Sequence, residues 1–154
     1  NSNFVICSGA KSILDLSKTN ELLETLGITR IGYQTNYMPG FWYEETENRV
    51  DNKFDEIHEI SSFLKLNENI ENKKSILIFN KVPLEKALNK NDVEKWINNA
   101  TIKADRNNIS GKELTPFLIK EINEESKNET LNTNTSLIIN NANLAGKIAK
   151  NFYS

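Results

Sequence analysis

Short apolar runs alternate with amphipathic stretches along the chain, which is the pattern of an α/β protein. The runs at residues 4–7 and 75–80 are rich in aromatic and aliphatic side chains and lack charge, as expected of strands buried on both faces. A third run covers residues 28–35, and Val50 and Asp51 lie in a short extended segment. Strands that alternate with helices predict three layers, α/β/α, around a parallel or mixed central sheet.

Apolar residues at helical spacing predict five helices around these strands. The first is expected to begin within residues 12–16, to restart at an N-cap on Ser17 and to end at Gly27 with a buried edge of leucines. The leucines are Leu22, Leu23 and Leu26. The N-caps expected for the next three helices are Asp55 for the second, Asp92 or Asn91 for the third and Thr115 for the fourth. The last helix has Asn141 inside an apolar stripe of Leu137, Ile138, Leu144, Ala145, Ile148, Ala149 and Phe152.

The composition fits one globular domain, or part of one. The chain has 154 residues, of which 38% are hydrophobic, and a net charge of −2. Its pI near 5.6 argues against a nucleic-acid-binding surface, which is normally basic. No stretch approaches the roughly 20 apolar residues of a membrane span. The single cysteine, Cys7, excludes an internal disulfide and is typical of a reducing compartment, so a cytoplasmic location is expected.

A candidate reactive group follows the first strand, where Ser8, Gly9 and Ala10 precede Lys11. Ligands of open α/β sheets bind beyond the carboxyl ends of the strands, which is where this lysine is expected. The positive end of the next helix and partial desolvation would both favour the neutral amine, which is able to attack a sugar carbon and form an imine. Alternatively, Lys11 holds a phosphate or points into water.

The sequence gives little support to two other kinds of site, a nucleotide-binding P-loop and a histidine metal ligand. A nucleotide-binding P-loop needs two glycines, one directly before the lysine, but Ala10 and Asn3 occupy those positions. His58 is the only histidine and has no cluster of ligating residues near it in sequence, so we interpret it as a surface residue rather than a metal ligand.

Five blocks of sequence together carry a family resemblance. They are residues 7–15 followed by Thr19, Leu22, Leu23, Glu24, Thr25, Leu26 and Gly27; residues 31–35; Asn80 with Pro83, Ala87 and Leu88; residues 111–118; and residues 137–142. In this order they closely resemble the pseudouridine-5′-phosphate glycosidase family, also called indigoidine synthase A-like.

The resemblance implies chemistry on a C–C bond. Members of the family cleave pseudouridine 5′-phosphate reversibly into uracil and ribose 5-phosphate, using a lysine Schiff base and a divalent metal, usually manganese. An imine suits a base joined through carbon better than the two carboxylates of an ordinary glycosidase. The family's nucleophile falls on Lys11. The implied substrate-binding residues are Asn141 first and Asn140 second, together with Ser8, Asn80 and Thr115.

The family's lysine lies near the middle of its polypeptide. The earlier segments, which contain the proton-donating glutamate, the metal-anchoring aspartate and most phosphate-binding residues, have no counterpart here. We therefore interpret residues 1–154 as the C-terminal half of a single domain, without its own metal site and inactive alone. The family forms trimers, so a homo-oligomer is expected if the contacts lie in this half. The alternative is a non-catalytic sugar-phosphate-binding module, in which Lys11 is only a charge partner.

Residues 36–48 form a loop rich in aromatics around Pro39 and Gly40. These rings either stack on the uracil and cover the cleft as a lid, or form a subunit contact or a small core of their own. The family usually has Pro-Ala-Phe-Tyr in this loop, so Gly40 and Trp42 are departures. A third departure is Lys81, where the family commonly has proline; it would loosen that loop or add a cation near the phosphate.

Overall fold

A parallel sheet of four strands forms the centre of the computed structural model, which describes residues 3–70 and 75–154. The strands are β1 (Phe4–Cys7), β2 (Thr29–Tyr33), β3 (Asn52–Phe54) and β4 (Ile76–Asn80). The order across the sheet is β1-β4-β2-β3, and every neighbouring pair is parallel. The predicted α/β class and sheet are therefore confirmed. The third strand lies just beyond Val50 and Asp51 rather than on them.

Five helices surround the sheet within the described ranges, as the apolar spacing predicted. Two short 3₁₀ turns, Leu84–Lys86 and Gly111–Glu113, precede the third and fourth helices. The helices are α1 (Leu16–Thr25), α2 (Ile57–Glu68), α3 (Lys90–Arg106), α4 (Leu114–Glu125) and α5 (Glu129–Phe152). None of the helices in the described residues is long and apolar enough to cross a bilayer.

The predicted start of α1 is wrong. Residues 12–14 form a turn, and the helix begins at Leu16 after an N-cap on Asp15, whose side chain accepts a hydrogen bond from the backbone N–H of Lys18 at 3.0 Å. An aspartate oxygen caps a helix at least as well as the hydroxyl of Ser17 does. The residue types alone therefore do not tell whether Asp15 or Ser17 is the N-cap.

The predicted N-caps of the next three helices are also displaced by one to three positions. The N-cap of α2 is Glu56, and the Glu59 carboxylate accepts its backbone N–H at 3.0 Å. The side chain of Asn89 caps α3 by accepting the N–H of Asn91 at 2.9 Å. The helix α4 follows directly from a 3₁₀ turn, so its N-cap is Glu113 rather than Thr115. The N-cap therefore lies earlier than predicted in α3 and α4, and one residue later than predicted in α2.

One face of the sheet carries the main core. Isoleucines of β2 and β4 pack against α2 and α5, which both lie on this face. The apolar stripe of α5 supplies part of this core, but Ile138, which was expected in the stripe, is exposed. The buried residues are Ile31, Ile60, Leu64, Ile76, Ile78, Leu144 and Ile148.

The opposite face of the sheet is only thinly covered by α1. No residue of this helix is buried, and Leu22 and Leu26 are 57% and 63% exposed. The predicted buried leucine edge of α1 is therefore wrong for these two residues. The helix is attached by Leu16, which packs against the cluster of Trp42 and Tyr43, and by a hydrogen bond that Arg30 of β2 donates to Asn20 of α1 at 2.7 Å.

Arg30 also forms the best-developed ion pair of the described residues. Its guanidinium contacts Asp51 through two nitrogens, at 3.2 Å and 2.5 Å, and its backbone N–H donates to the same carboxylate at 2.8 Å. Burial raises the pKa of the Asp51 carboxyl, but the hydrogen bonds and charge of Arg30 outweigh this and hold that pKa below its usual value. The hydrogen bond to Asp51 in turn raises the pKa of Arg30.

We expect Asp51→Asn to lower the free energy of unfolding at pH 7 by about 1–2 kcal/mol, because a partly solvated ionic hydrogen bond is lost. A carboxyl with a depressed folded-state pKa stabilises fully above its unfolded value of about 3.9 and loses that effect as pH falls through the folded pKa. The difference between wild type and variant should therefore shrink below about pH 4 in urea titrations. Asp55→Asn, which breaks the exposed pair with Lys53, is the control and should change stability by less than about 0.5 kcal/mol. Equal effects of the two substitutions would contradict the assignment.

Candidate functional site

Three polar side chains meet at the carboxyl edge of the sheet. Ser8 follows β1 and Asn80 ends β4, and the register that pairs Cys7 with Phe79 brings them side by side. Asn141 of α5 reaches both: its amide nitrogen lies 3.0 Å from the Ser8 hydroxyl, and its carbonyl oxygen accepts from the Asn80 amide at 3.1 Å. We call Ser8, Asn80 and Asn141 the edge cluster.

The position of Asn141 in the apolar stripe of α5 is explained by this cluster. Leu137 and Leu144, one turn away on either side, are buried, and Asn141 lies on the same face of the helix. Its side chain therefore points toward the sheet. Its amide bonds to side chains at the sheet edge rather than to backbone groups in the core. Asn140 lies beside the cluster and donates to the backbone oxygen of Lys81 at 3.0 Å. Both asparagines thus reach the predicted edge, and their substrate contacts stay a prediction.

Lys11 lies in the loop between β1 and α1, at the same edge as Ser8. Its side chain is exposed, and its backbone oxygen accepts the N–H of Leu14 at 2.9 Å in a turn. The partial burial expected for this side chain is therefore not seen among the described residues, and α1 begins at Leu16 rather than directly after the lysine. Its role as the nucleophile stays a prediction.

The aromatic loop of residues 36–48 supports the loop that carries Lys11. The backbone N–H of Phe41 donates to the oxygen of Ser8 at 3.1 Å, and the Ser12 hydroxyl donates to the oxygen of Gly40. Gly9 has a φ of +88°, and a Cβ added there would lie 2.1 Å from the backbone oxygen of Pro39. The loop that carries Lys11 is therefore fitted against the backbone of the aromatic loop.

Of the alternatives given for the aromatic loop, a small core of its own is confirmed for Trp42 and Tyr43. Both rings are buried against α3 and α4, and the Trp42 indole N–H donates to the side-chain oxygen of Asn134 at 2.7 Å. Neither ring is free to stack on a ligand. Tyr43 also explains the departure at Gly40, because the Cβ of an alanine there would lie 2.0 Å from the tyrosine ring.

The departure at Lys81 is compensated by acidic residues. Its ammonium lies 3.3 Å from Glu45 and 3.7 Å from Glu44, and Glu45 also accepts from the buried Thr35 hydroxyl at 2.7 Å. The lysine therefore links the end of β4 to the aromatic loop. From the family resemblance, Lys81 was expected to loosen this loop or to add a cation near the phosphate. The structure pairs this charge with two carboxylates instead.

Thr115, the remaining predicted substrate-binding residue, lies apart from these contacts. It occupies the first turn of α4, its side chain is exposed, and no described hydrogen bond connects it to the edge cluster. The capping role expected for it is wrong, since Glu113 is the N-cap. A contact between Thr115 and a substrate stays a prediction.

The described residues do not fit a metal site. Residues 3–70 and 75–154 contain no group of three or more histidine, cysteine, aspartate or glutamate side chains placed to bind one ion. His58 is exposed on α2, as the sequence predicted for a surface residue. Burial raises the pKa of the Cys7 thiol at the end of β1, which favours the protonated and unreactive form.

We expect Asn141→Ala to lower the free energy of unfolding by about 1–3 kcal/mol, because Ser8 and Asn80 lose their shared partner. Urea unfolding of the 154-residue chain measures this. Asn143→Ala, an exposed position on the same helix, is the matched control and should stay within about 0.5 kcal/mol of wild type. Equal stability of the two variants would show that Asn141 makes no net contribution.

Gly9→Ala should destabilise the chain by about 2 kcal/mol or more, because the backbone strain at positive φ adds to the clash with Pro39. Gly146→Ala on α5 is the control. No atom lies within 4 Å of an added Cβ there, so the higher helix propensity of alanine should raise stability by up to about 1 kcal/mol. Thermal unfolding that moves in the same direction for both variants would contradict this contrast.

Comparison with known proteins shows that the family resemblance of the five sequence blocks extends over nearly the whole chain. The family model described as "Indigoidine synthase A like protein" matches residues 1–151. Proteins named pseudouridine-5′-phosphate glycosidase are 42% identical over 145 residues in Kosmotoga olearia and 43% identical over 148 residues in Petrotoga mobilis. These alignments cover 94% and 96% of this chain but 50% and 48% of the relatives. The chain thus spans about half the length of the curated relatives it matches.

Solved structures give the same result for the fold. A prealnumycin C-glycosynthase in complex with ribulose 5-phosphate matches 98% of this chain with a TM-score of 0.91 at 26% identity. An indigoidine synthase A-like protein from Thermotoga maritima matches 96% with a TM-score of 0.83 at 33% identity. Each alignment covers about half of the other chain, 50% and 49%. From the family match and these relatives, the chain belongs to the indigoidine synthase A like family.

Proposed function

We propose that the complete protein is a pseudouridine-5′-phosphate glycosidase and that this chain is its C-terminal half, a lysine-bearing part that is inactive alone. The observation that carries the proposal is the position of Lys11 in the loop that follows β1, which leaves the sheet at the edge where Ser8, Asn80 and Asn141 converge. The names of the relatives support the substrate class. The ribulose 5-phosphate bound by the prealnumycin C-glycosynthase supports a pentose phosphate as ligand.

The proposed reaction uses Lys11 as the nucleophile. Its amine bonds to C1′ as the bond from C1′ to O4′ breaks, and O4′ takes up a proton in place of the one that the amine loses, which opens the sugar. The nitrogen lone pair then forms a C=N bond as the bond from C1′ to C5 of uracil breaks. The electron pair of the broken bond passes to the uracil ring, which takes up a proton. Water hydrolyses the imine, releasing ribose 5-phosphate and the free lysine. Substrate and water together thus account for both products.

The edge cluster is proposed to orient the substrate for this attack. A hydroxyl and two amides offer both donors and acceptors, which match the hydroxyl groups of a pentose and the edge of uracil. Because Asn141 connects two strands through a helix, it holds these groups at fixed spacing before the substrate binds. Such preorganisation is what placement of a sugar carbon against an amine requires.

Other parts of the proposed enzyme lie outside the described residues. The divalent metal, which we expect to be manganese, is proposed to be bound mainly by the N-terminal half, because the described residues lack a ligand set. The same half is proposed to supply the proton donor and most phosphate contacts. A trimeric assembly and a cytoplasmic location complete the proposal.

Borohydride reduction tests the role of Lys11. The complete polypeptide, incubated with ribose 5-phosphate and reduced, should gain one sugar-phosphate mass on Lys11 in peptide mass spectrometry, because reduction fixes an imine as a stable amine. Lys11→Arg should abolish both labelling and turnover, since a guanidinium stays protonated and cannot form the imine.

Lys18→Arg is the matched control, because Lys18 is an exposed lysine of the next helix. This variant should keep full labelling and turnover. Labelling on another lysine would refute the role of Lys11. Retention of ribose 5-phosphate affinity in Lys11→Arg, with no labelling of the wild type, would support the sugar-phosphate-binding module instead.

A further inference from the structure

The exposed side chain of Lys11 is carried by a backbone that is held on both sides. Before the lysine, the backbone oxygen of Ser8 accepts the N–H of Phe41 at 3.1 Å. After the lysine, the Ser12 hydroxyl donates to the backbone oxygen of Gly40. A lysine has a long, flexible stem, so the place of its amine depends on how firmly the backbone below it is fixed.

Both contacts are made by one peptide group, the one that joins Gly40 to Phe41. Its N–H donates to Ser8 and its oxygen accepts from Ser12. In a planar trans peptide these two groups point in opposite directions. The peptide group therefore lies between the two ends of the short segment that carries Lys11, and it sets the distance between them.

This peptide group belongs to a strained turn. The N–H of Trp42 donates to the oxygen of Gly40 at 2.9 Å, and Phe41 between them has a φ of +67°. A hydrogen bond that spans three residues around a positive central φ is the rare and strained form of the γ-turn. Phenylalanine does not favour this backbone region, so the surrounding structure must hold it there.

The buried part of the aromatic loop holds the turn in place. The indole N–H of the buried Trp42 donates to Asn134 of α5 at 2.7 Å, and its backbone oxygen accepts the N–H of Leu88 at 2.8 Å. The N–H of Gly40 donates to the oxygen of Tyr43 at 3.2 Å. Backbone strain that a core maintains beside a candidate nucleophile indicates a role in function.

We propose that Ser12 is a positioning residue for Lys11 and acts through its hydrogen bond to the Gly40–Phe41 peptide group. Attack by an amine requires nitrogen and carbon to approach within about 3–3.5 Å, and a misplacement of about 1 Å can slow a reaction about a hundredfold. Loss of the Ser12 hydroxyl releases the residue next to Lys11 from the strained turn, so the amine would sample more positions. The role rests on the proposed function of Lys11. It gives the aromatic loop a part in the reaction that needs no contact between its rings and the substrate.

Two substitutions of Ser12 in the complete polypeptide test this role. Ser12→Ala should lower kcat for pseudouridine 5′-phosphate about ten- to a hundredfold and change KM less than about threefold, because attack rather than binding is impaired. Borohydride trapping of ribose 5-phosphate on Lys11 should slow by a similar factor. Ser12→Thr keeps the hydroxyl and should restore most of the rate. A cavity of about 290 Å³ beside Ser12, lined in part by Ile97 and Thr101, has room for the added methyl group.

Hydrogen exchange measures the positioning without the chemistry. The amide hydrogen of Phe41 is protected by its bond to Ser8. Ser12→Ala should raise the exchange rate of this hydrogen at least about tenfold, because the peptide group is then held on one side only. Ser17→Ala is the matched control, since Ser17 is an exposed serine of α1 and should change neither exchange nor kcat. Circular dichroism confirms that the variants are folded at the temperature of the assay.

The positioning role is overturned if the wild type is labelled on Lys11 but Ser12→Ala turns over as fast as Ser17→Ala. It is also overturned if Ser12→Ala leaves the exchange of the Phe41 amide unchanged, or if Ser12→Thr is as slow as Ser12→Ala. In these cases the proposed function stands. A wild type that gains no label on Lys11 overturns the proposed function and this role with it.

Discussion

The parallel pairing of β1 with β4 is the constraint on which the rest of this structure depends. Parallel strands end at one edge, so the register that sets Cys7 opposite Phe79 also sets Ser8 beside Asn80. A slip of one residue would turn each side chain to the other face and separate the two polar groups. The pairing therefore creates the edge at which Asn141 binds and from which the Lys11 loop departs.

The long helix α5 transmits this geometry to the remainder of the chain. Leu144 and Ile148 fix it to the sheet, and Asn141 fixes it to the edge of the sheet. Asn134 accepts a hydrogen bond from Trp42, which lies in the small core that the aromatic loop forms with α3 and α4. Two asparagines of this helix, Asn134 and Asn141, thus join separate parts of the fold. Among the described residues, no buried side-chain polar atom lacks a hydrogen-bond partner.

The departures from the family pattern are compensated by neighbouring residues. Gly40 provides the space that the Tyr43 ring fills, and Lys81 pairs with two glutamates of the aromatic loop. In this chain the aromatic loop supports the Lys11 loop through the hydrogen bonds from Phe41 to Ser8 and from Ser12 to Gly40. The aromatic rings of Trp42 and Tyr43, which looked suitable for a ligand, are therefore a structural support.

The sequence by itself determined the three longer strands, the presence of five helices and the family, because apolar periodicity and short motifs are local properties of the chain. It also indicated that Asn141 needs a partner, since an amide inside an apolar stripe must be satisfied. Only the tertiary structure decided which partners these are, where each helix is capped, and that Leu22, Leu26 and Lys11 are exposed. Periodicity tells which residues are suited to burial, whereas burial itself depends on whether another segment of polypeptide is there to cover them.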